Sequence, residues 1–244
     1  MYPPRLLVSV VDGREAAVAL SAGAHVIDAK DPSRGALGAV GPKALAEIAR
    51  ACPDGTVISA ALGDLSSVPD SLALPLERLS YVKIGLGGLR HSTARRALAR
   101  LKKRGWLRLG PAETAKEPAP ELILVGYADH ARVCAPPPEA FPVLASEVGA
   151  SGCLLDTAVK DGSCLLDWIN TPRLRAFVEA CRSRGLLCAL AGSLRARHLP
   201  RVARLGPDLI GVRGAACDGD RVHGTVSGLR VRELVEVIAG LRAA

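Results

Sequence analysis

Short apolar runs alternate along the chain with segments whose apolar residues recur every three or four positions. Apolar runs of four to eight residues are typical of parallel strands that are buried on both faces. The intervening segments have the 3.6-residue period of amphipathic helices. The pattern predicts eight strands, at residues 6–10, 26–30, 57–61, 81–85, 122–126, 152–156, 188–191 and 209–212.

A helix is predicted after nearly every strand, with the weakest signal after the third. Eight strand–helix units predict a single (β/α)8 TIM-barrel domain that spans residues 1–244. A doubly wound sheet shows the same alternation, but no Gly-x-Gly-x-x-Gly or P-loop motif follows the first strand, so the barrel is favoured. The predicted helices cover residues 14–22, 42–51, 93–104, 139–148, 173–184, 199–205 and 231–241.

Two stretches interrupt the alternation. Residues 105–120 contain three prolines and many polar side chains, which predicts a surface connection on the bottom face of the barrel. Residues 161–171 follow the sixth strand on the face where barrel enzymes carry their active sites. We interpret this second stretch either as a lid over a site or as an extra turn packed on the barrel rim.

Composition and charge narrow the function classes. The chain is 49% hydrophobic, has no apolar run of about 20 residues, and begins without the long apolar region of a signal peptide, so we expect a cytoplasmic protein with no membrane partner. The net charge of +8 would suit an anionic partner. With only 3% aromatic residues and no nucleic-acid-reading motif, a small anionic metabolite is favoured over nucleic acid. A homo-oligomer remains open.

Cysteine and histidine give no sign of a metal site. The seven cysteines are scattered without a Cys-x-x-Cys pair, and the five histidines lack metal-ligand spacing. We expect reduced thiols and no metal site.

Lysine is scarce, and its placement is informative. The chain has seven lysines against twenty-five arginines, yet Lys30, Lys83 and Lys160 all lie at or just after the ends of predicted strands. A lysine amine can lose its proton and attack a carbonyl to form a Schiff base, whereas a guanidinium stays charged. The pattern therefore indicates lysine-based carbonyl chemistry.

Strand parity predicts which side chains meet these lysines. Residues two apart on a strand share a face, so Asp28 and Lys30 point into the lumen, as do Lys83 and Asp156, while Lys160 follows on the loop. Ion pairs that only hold loops are the structural alternative. Clustered amines lower one another's pKa, which favours a catalytic cluster in which one amine is the nucleophile and the carboxylates transfer protons.

A phosphate site is predicted beside this cluster. Glycine-punctuated turns follow the seventh and eighth strands, whose loops commonly bind phosphate in this fold. The candidate ligands are Gly192, Ser193, Arg213, Gly214 and Ala215. From the residues alone we infer a lysine-dependent lyase or aldolase acting on a small phosphorylated carbonyl compound. A non-catalytic barrel that binds anionic sugars is the alternative from another class.

Three further carboxylates, Asp12, Asp64 and Asp129, follow predicted strands without a partner that the sequence identifies.

Seven motifs along nearly the whole chain resemble one family, the (5-formylfuran-3-yl)methyl phosphate synthases of methanofuran biosynthesis. The Asp-x-Lys-Asp-Pro and Asp-Thr-x-x-Lys-Asp-Gly elements are specific as a pair. The motifs are V-I-D-A-K-D-P (26–32), G-A-L-G (35–38), Y-V-K-I-G-L (81–86), G-Y-A-D (126–129), L-L-D-T-A-V-K-D-G (154–162), L-A-G-S-L (190–194) and I-G-V-R-G-A-A-C (210–217).

The resemblance implies a TIM-barrel enzyme that condenses two molecules of glyceraldehyde 3-phosphate, with loss of phosphate and water. It implies that Lys30 forms the Schiff base and that Lys83 accepts a proton. It also implies that Asp156 and Lys160 assist by proton transfer and phosphate binding, without a metal or cofactor.

Overall fold

Eight parallel strands close into a barrel in sequence order, from β1 to β8. The computed structural model describes residues 3–68, 76–101 and 119–241. This topology confirms the predicted (β/α)8 fold. The strands are β1 (Arg5–Val10), β2 (Val26–Ala29), β3 (Val57–Asp64), β4 (Tyr81–Gly85), β5 (Glu121–Tyr127), β6 (Gly152–Asp156), β7 (Leu187–Leu190) and β8 (Leu209–Val212).

Helices cover the outside of the strands. Helix α1 begins where Asp12 Oδ1 accepts a hydrogen bond from the backbone N–H of Glu15 at 2.8 Å, a typical N-cap. Asn170 caps α6 in the same way. The helices are α1 (Gly13–Ser21), α2 (Pro42–Ala51), α3 (His91–Leu101), α4 (Phe141–Val148), α5 (Leu165–Trp168), α6 (Thr171–Arg182), α7 (Leu199–Ala203) and α8 (Gly228–Gly240).

The structure departs from the predicted pattern in the third unit. The described residues between β3 and β4 form only two 3-10 turns, Leu65–Ser67 and Leu76–Arg78, in keeping with the weak helical signal there. Strand β3 also runs three residues further than predicted, to Asp64. Residues 105–118 of the predicted surface connection lie outside the described residues.

The core has two layers, as the alternating strand faces require. One layer fills the space between strands and helices. The other lies in the lumen, where Leu7, Val26, Val125 and Leu154 pack together. Because Val26 and Leu154 share the lumen face, the parity predicted for β2 and β6 is correct, and Asp28 and Asp156 face inward above this apolar layer. None of the helices in the described ranges is long and apolar enough to cross a membrane.

Residues 161–171 pack on the barrel rim and include helix α5. Leu165 and Ile169 are buried, and the N–H of Leu165 donates to the carbonyl of Gly192 at 2.9 Å. Trp168 lies away from the lumen, with its Nε1 donating to Ser163 Oγ at 2.8 Å. The Arg132 guanidinium covers its ring at 5.1 Å from the centroid.

A two-stranded antiparallel hairpin, which the pattern did not predict, follows β8. It pairs β9 (Cys217–Asp218) with β10 (Thr225–Val226). The residues between the strands are rich in Gly and Asp, which favour tight turns. This hairpin stands at the mouth of the barrel.

Candidate active site

A cavity of about 710 Å³ opens at the carboxyl ends of the strands. Its volume lies within the range of small-molecule sites. It brings together all five predicted catalytic side chains and all five predicted phosphate-site residues. The cavity is therefore where the predicted chemistry would take place.

Asp28 is held at the centre of one charged group. In the sheet register its neighbours are Ser9 on β1 and Ser59 on β3. Both hydroxyls donate to the carboxylate, Ser9 to Oδ2 at 2.8 Å and Ser59 to Oδ1 at 2.7 Å. Lys83 Nζ lies 2.6 Å from Oδ2, and both charged side chains are buried. Both carboxylate oxygens of Asp28 therefore have partners, and Asp28 orients Lys83.

Asp156 and Lys160 form the second charged group. Oδ1 of Asp156 accepts hydrogen bonds from the backbone N–H of Thr157 and from Lys160 Nζ, both at 2.7 Å. Lys160 also donates to Thr157 Oγ1 at 3.0 Å. Burial opposes ionisation of Asp156, but the ammonium groups of Lys160 and Lys30 outweigh it and lower its pKa. Among the described residues Oδ2 of Asp156 has no hydrogen-bond partner.

Lys30 differs from the other two lysines. It lies just beyond β2, is 7% exposed, and its Nζ forms no hydrogen bond or ion pair with any described residue. The pKa of Lys30 falls from 10.5 to about 8, because burial, the largest cause, and the positive charges of Lys83 and Lys160 together outweigh the carboxylates of Asp156 and Asp28, which raise it. About one Lys30 amine in eleven is therefore neutral at pH 7.

The turns after β7 and β8 border the same cavity. Gly192 and Ser193 both have left-handed backbone conformations, with φ of 108° and 50°. A Cβ on Gly192 would lie 3.1 Å from the Thr157 backbone nitrogen, so this turn and the β6 loop approach closely. Gly214 and Ala215 lie in a 3-10 turn after β8. Phosphate binding by these four residues stays a prediction.

The surroundings of the Arg213 side chain differ from those expected of a phosphate ligand. Its guanidinium is buried against Glu15 of α1, with Nη1 2.5 Å from Oε2 and Nη2 3.1 Å from Oε1. The remaining N–H groups donate to the carbonyls of Ser9, Arg221 and Gly224. Because all five guanidinium N–H groups have protein acceptors, none is left for phosphate, which argues against the predicted role.

Four cavity arginines are not among the predicted site residues. Arg195 and Arg197 are exposed on the loop after β7, Arg221 is half-buried on the hairpin, and Arg230 is exposed on α8. They escaped notice because arginine is abundant throughout the chain and none lies at a strand end. Their position adds positive charge to the mouth of the cavity.

The three rim carboxylates have local structural partners. Asp12 caps α1, and Asp64 Oδ1 accepts hydrogen bonds from Tyr127 Oη at 2.8 Å and from the N–H of Gly87 at 2.7 Å. Asp129 is buried and accepts from the N–H groups of Ala158 at 2.7 Å and Val159 at 2.9 Å. Asp129 therefore holds the loop that carries Lys160.

In the described part of the chain, no group of three or more His, Cys, Asp or Glu side chains is arranged to hold a metal ion. All seven cysteines are free thiols.

Solved structures of similar fold are TIM-barrel enzymes of low sequence identity. Phosphoribosyl anthranilate isomerase from Thermus thermophilus matches with a TM-score of 0.62 and 18% identity, covering 98% of this chain and 100% of that one. 3-Hexulose-6-phosphate synthase from Salmonella typhimurium matches with a TM-score of 0.55 and 16% identity, covering 97% and 99%. At this identity the likeness concerns the fold alone.

Sequence relatives are much closer. A (5-formylfuran-3-yl)methyl phosphate synthase from Methanococcus maripaludis is 39% identical over 240 residues, covering 95% of this chain and 98% of the relative. The enzyme of the same name from Methanopyrus kandleri is 38% identical over 242 residues, covering 97% and 99%. The model of the 4-HFC-P synthase family matches residues 6–235. The chain therefore belongs to the 4-HFC-P synthase family, as its motifs predicted.

Proposed function

We propose that this enzyme condenses two molecules of glyceraldehyde 3-phosphate into (5-formylfuran-3-yl)methyl phosphate through a Schiff base on Lys30, in the biosynthesis of a methanofuran-type cofactor. The names of its relatives support the product. The observation that carries the mechanism is the difference between Lys30 and the other two lysines of the cavity.

Only one of these amines is prepared to attack a carbonyl. Lys83 and Lys160 are held in place by ion pairs with carboxylates, at 2.6 Å and 2.7 Å. Lys30 is buried, has no such partner in the described structure, and has a pKa of about 8. A desolvated amine beside other cations is the usual form of a Schiff-base lysine.

In the first stage, neutral Nζ of Lys30 adds to the aldehyde carbon and water leaves, which forms a protonated imine. The imine acidifies the C–H bond on the neighbouring carbon. When that proton is removed, the electron pair forms a C=C bond and the C–O bond to the phosphate on the third carbon breaks. Because phosphate leaves with its bonding electrons, no oxidant is needed.

The two ion pairs supply the remaining functions. The Lys83–Asp28 pair accepts the proton that the substrate loses. The Lys83 ammonium passes one proton to the Asp28 carboxylate, and the Lys83 amine then takes up the proton from the substrate. Lys160 stabilises the leaving phosphate, and Asp156 has a free Oδ2 for proton transfer during ring closure. The second triose keeps its phosphate. Its C2 loses a proton, and the resulting electron pair adds to C3 of the conjugated imine, which forms the C–C bond between the two units. Overall, two triose phosphates lose one phosphate and two waters, which accounts for every atom of the furan product.

The substitution Lys30→Arg tests this proposal, because arginine keeps the charge but cannot form an imine. We expect no detectable furan absorbance and no phosphate release from glyceraldehyde 3-phosphate. Lys43→Arg, at an exposed position on α2, is the matched control and should retain activity. Furan and phosphate produced in equal amounts by the unaltered enzyme would support the synthase.

Three other results would contradict the proposal. Reversible carbon–carbon cleavage without phosphate release would make the enzyme a class I aldolase. Normal turnover by a folded Lys30→Arg variant would exclude a Schiff base on Lys30 from the mechanism. An unaltered protein that binds the substrate without converting it would indicate a non-catalytic barrel.

A further inference from the structure

Arg221 extends from the β9–β10 hairpin across the mouth of the barrel to the loop after β2. Its Nη1 donates to the carbonyl of Pro32 at 3.1 Å, and its Nη2 donates to the carbonyl of Gly35 at 3.2 Å. Pro32 is two residues beyond Lys30. The guanidinium also lines the cavity that contains the lysines. Arg221 therefore lies over the side of the cavity where Lys30 would hold its substrate.

This guanidinium has unused binding capacity. An arginine has five N–H donors, and two of those of Arg221 have acceptors, so three have none within the described residues. No carboxylate in the described ranges forms an ion pair with it. Burial lowers its pKa, and the carboxylates of Asp156 and Asp220 act against that effect, while Arg213 adds to it. A half-buried cation of this kind is well suited to an anion.

The buried Glu15–Arg213 pair fixes the hairpin that carries Arg221. Arg213 donates to the carbonyl of Arg221 itself at 3.2 Å and to that of Gly224 at 3.1 Å. Glu15 Oε1 also accepts from the N–H of Val226 at 3.1 Å. The pair thus holds the hairpin at three backbone positions, which explains why Arg213 has no N–H left for substrate.

We propose that Arg221 binds the phosphate of the aldehyde that reacts with Lys30, and that the Glu15–Arg213 pair positions Arg221. This inference rests on the proposed function, which requires two phosphorylated substrates in one cavity. The turns after β7 and β8, which line the same cavity, serve the phosphate that is retained. Arg221 and Lys160, which line the same cavity, then both contact the phosphate that leaves.

The test compares two aldehydes that differ only in the phosphate. Glyceraldehyde 3-phosphate and glyceraldehyde are each incubated with the enzyme and cyanoborohydride, and the rate of Lys30 labelling is measured by peptide mass spectrometry. Arg221→Ala should slow labelling by glyceraldehyde 3-phosphate by tenfold to about 150-fold, the range expected for a charge-assisted hydrogen bond. Labelling by glyceraldehyde should change less than about twofold, because that aldehyde has no phosphate for Arg221 to bind.

Two controls make the result specific. Arg221→Lys keeps the positive charge but loses the forked guanidinium. Its rate of Lys30 labelling by glyceraldehyde 3-phosphate should lie between those of the unaltered enzyme and the alanine variant. Arg175→Ala removes an exposed arginine on α6 and should change neither rate. If Arg221→Ala leaves the preference for the phosphorylated aldehyde unchanged, the assignment of Arg221 is wrong. If neither aldehyde labels Lys30 in the unaltered enzyme, the proposed function fails and this inference fails with it.

The positioning pair is tested by a double-mutant cycle. Glu15→Gln should reduce the preference for the phosphorylated aldehyde, and it should have no additional effect on that preference when Arg221 is already alanine. A general loss of stability would instead slow the labelling of Lys30 by both aldehydes to the same extent. Equal effects of Glu15→Gln in the presence and absence of Arg221 would overturn the positioning role.

Discussion

The low pKa of Lys30 has a consequence that can be measured without any catalytic turnover. A pKa that falls from 10.5 to about 8 means that the charged amine is less stable in the cavity than in water by about 3 kcal/mol. At pH 7 this raises the neutral fraction from about one in three thousand to about one in eleven. At pH 9 about ten in eleven amines are neutral.

The assay is acetylation of Lys30 by a trace of acetic anhydride between pH 6 and 10, relative to an added amine of known pKa. The rate should rise about tenfold from pH 7 to pH 9 and then level off, because only the neutral amine reacts. An amine that kept a pKa of 10.5 would gain about a hundredfold over the same interval and continue to rise. That second profile would refute the account of Lys30.

Two substitutions should move the pH midpoint of Lys30 acetylation in opposite directions. Lys83→Met removes a positive charge that lowers the pKa of Lys30, so the midpoint should rise above about 8. Asp156→Asn removes a carboxylate that raises the pKa of Lys30, so the midpoint should fall. Circular dichroism checks that both variants fold. Shifts of the same sign would show that charge is not the cause.

Two further predictions concern the supports of the site. Gly85→Ala would place a Cβ 2.3 Å from Asp64 Oδ1 and 2.5 Å from Tyr127 Oη, so we expect a loss of about 1–3 kcal/mol of stability and a Tm lower by roughly 2–12 °C. Gly240→Ala, which meets no atom within 4 Å, is its control, and an equal Tm for the two variants would contradict the clash. Asp129→Asn leaves one acceptor for two backbone N–H groups, so we expect kcat to fall about tenfold or more as the Lys160 loop loosens. Because Lys30 is untouched, its labelling by glyceraldehyde should persist, and an unchanged kcat would exclude a positioning role for Asp129.

Local pattern was sufficient to predict the barrel and the lysine cluster. Parallel strands buried on both faces are continuous apolar runs, so a charged residue within one must face the lumen. That reasoning brought Asp28, Lys83 and Asp156 into one cavity. It did not predict the surroundings of Asp28, because Ser9 and Ser59 become its neighbours only through the stagger between strands.

Long-range partners explain the remaining differences. Arg213 follows β8, where a phosphate ligand is expected, but its guanidinium pairs with Glu15, 198 residues away in sequence. Nothing in the local pattern around either residue indicates the other. Arg221 was missed because the hairpin that carries it has strands of only two residues, too short to produce an alternating pattern.

The measurement that tests the central claim most directly is the mass of the intact protein after incubation with glyceraldehyde 3-phosphate and borohydride, followed by peptide mapping. The account predicts one adduct, on Lys30, together with phosphate and a furan chromophore in the unreduced mixture. An adduct on Lys83 or Lys160 instead, or no adduct while furan is still formed, would contradict it.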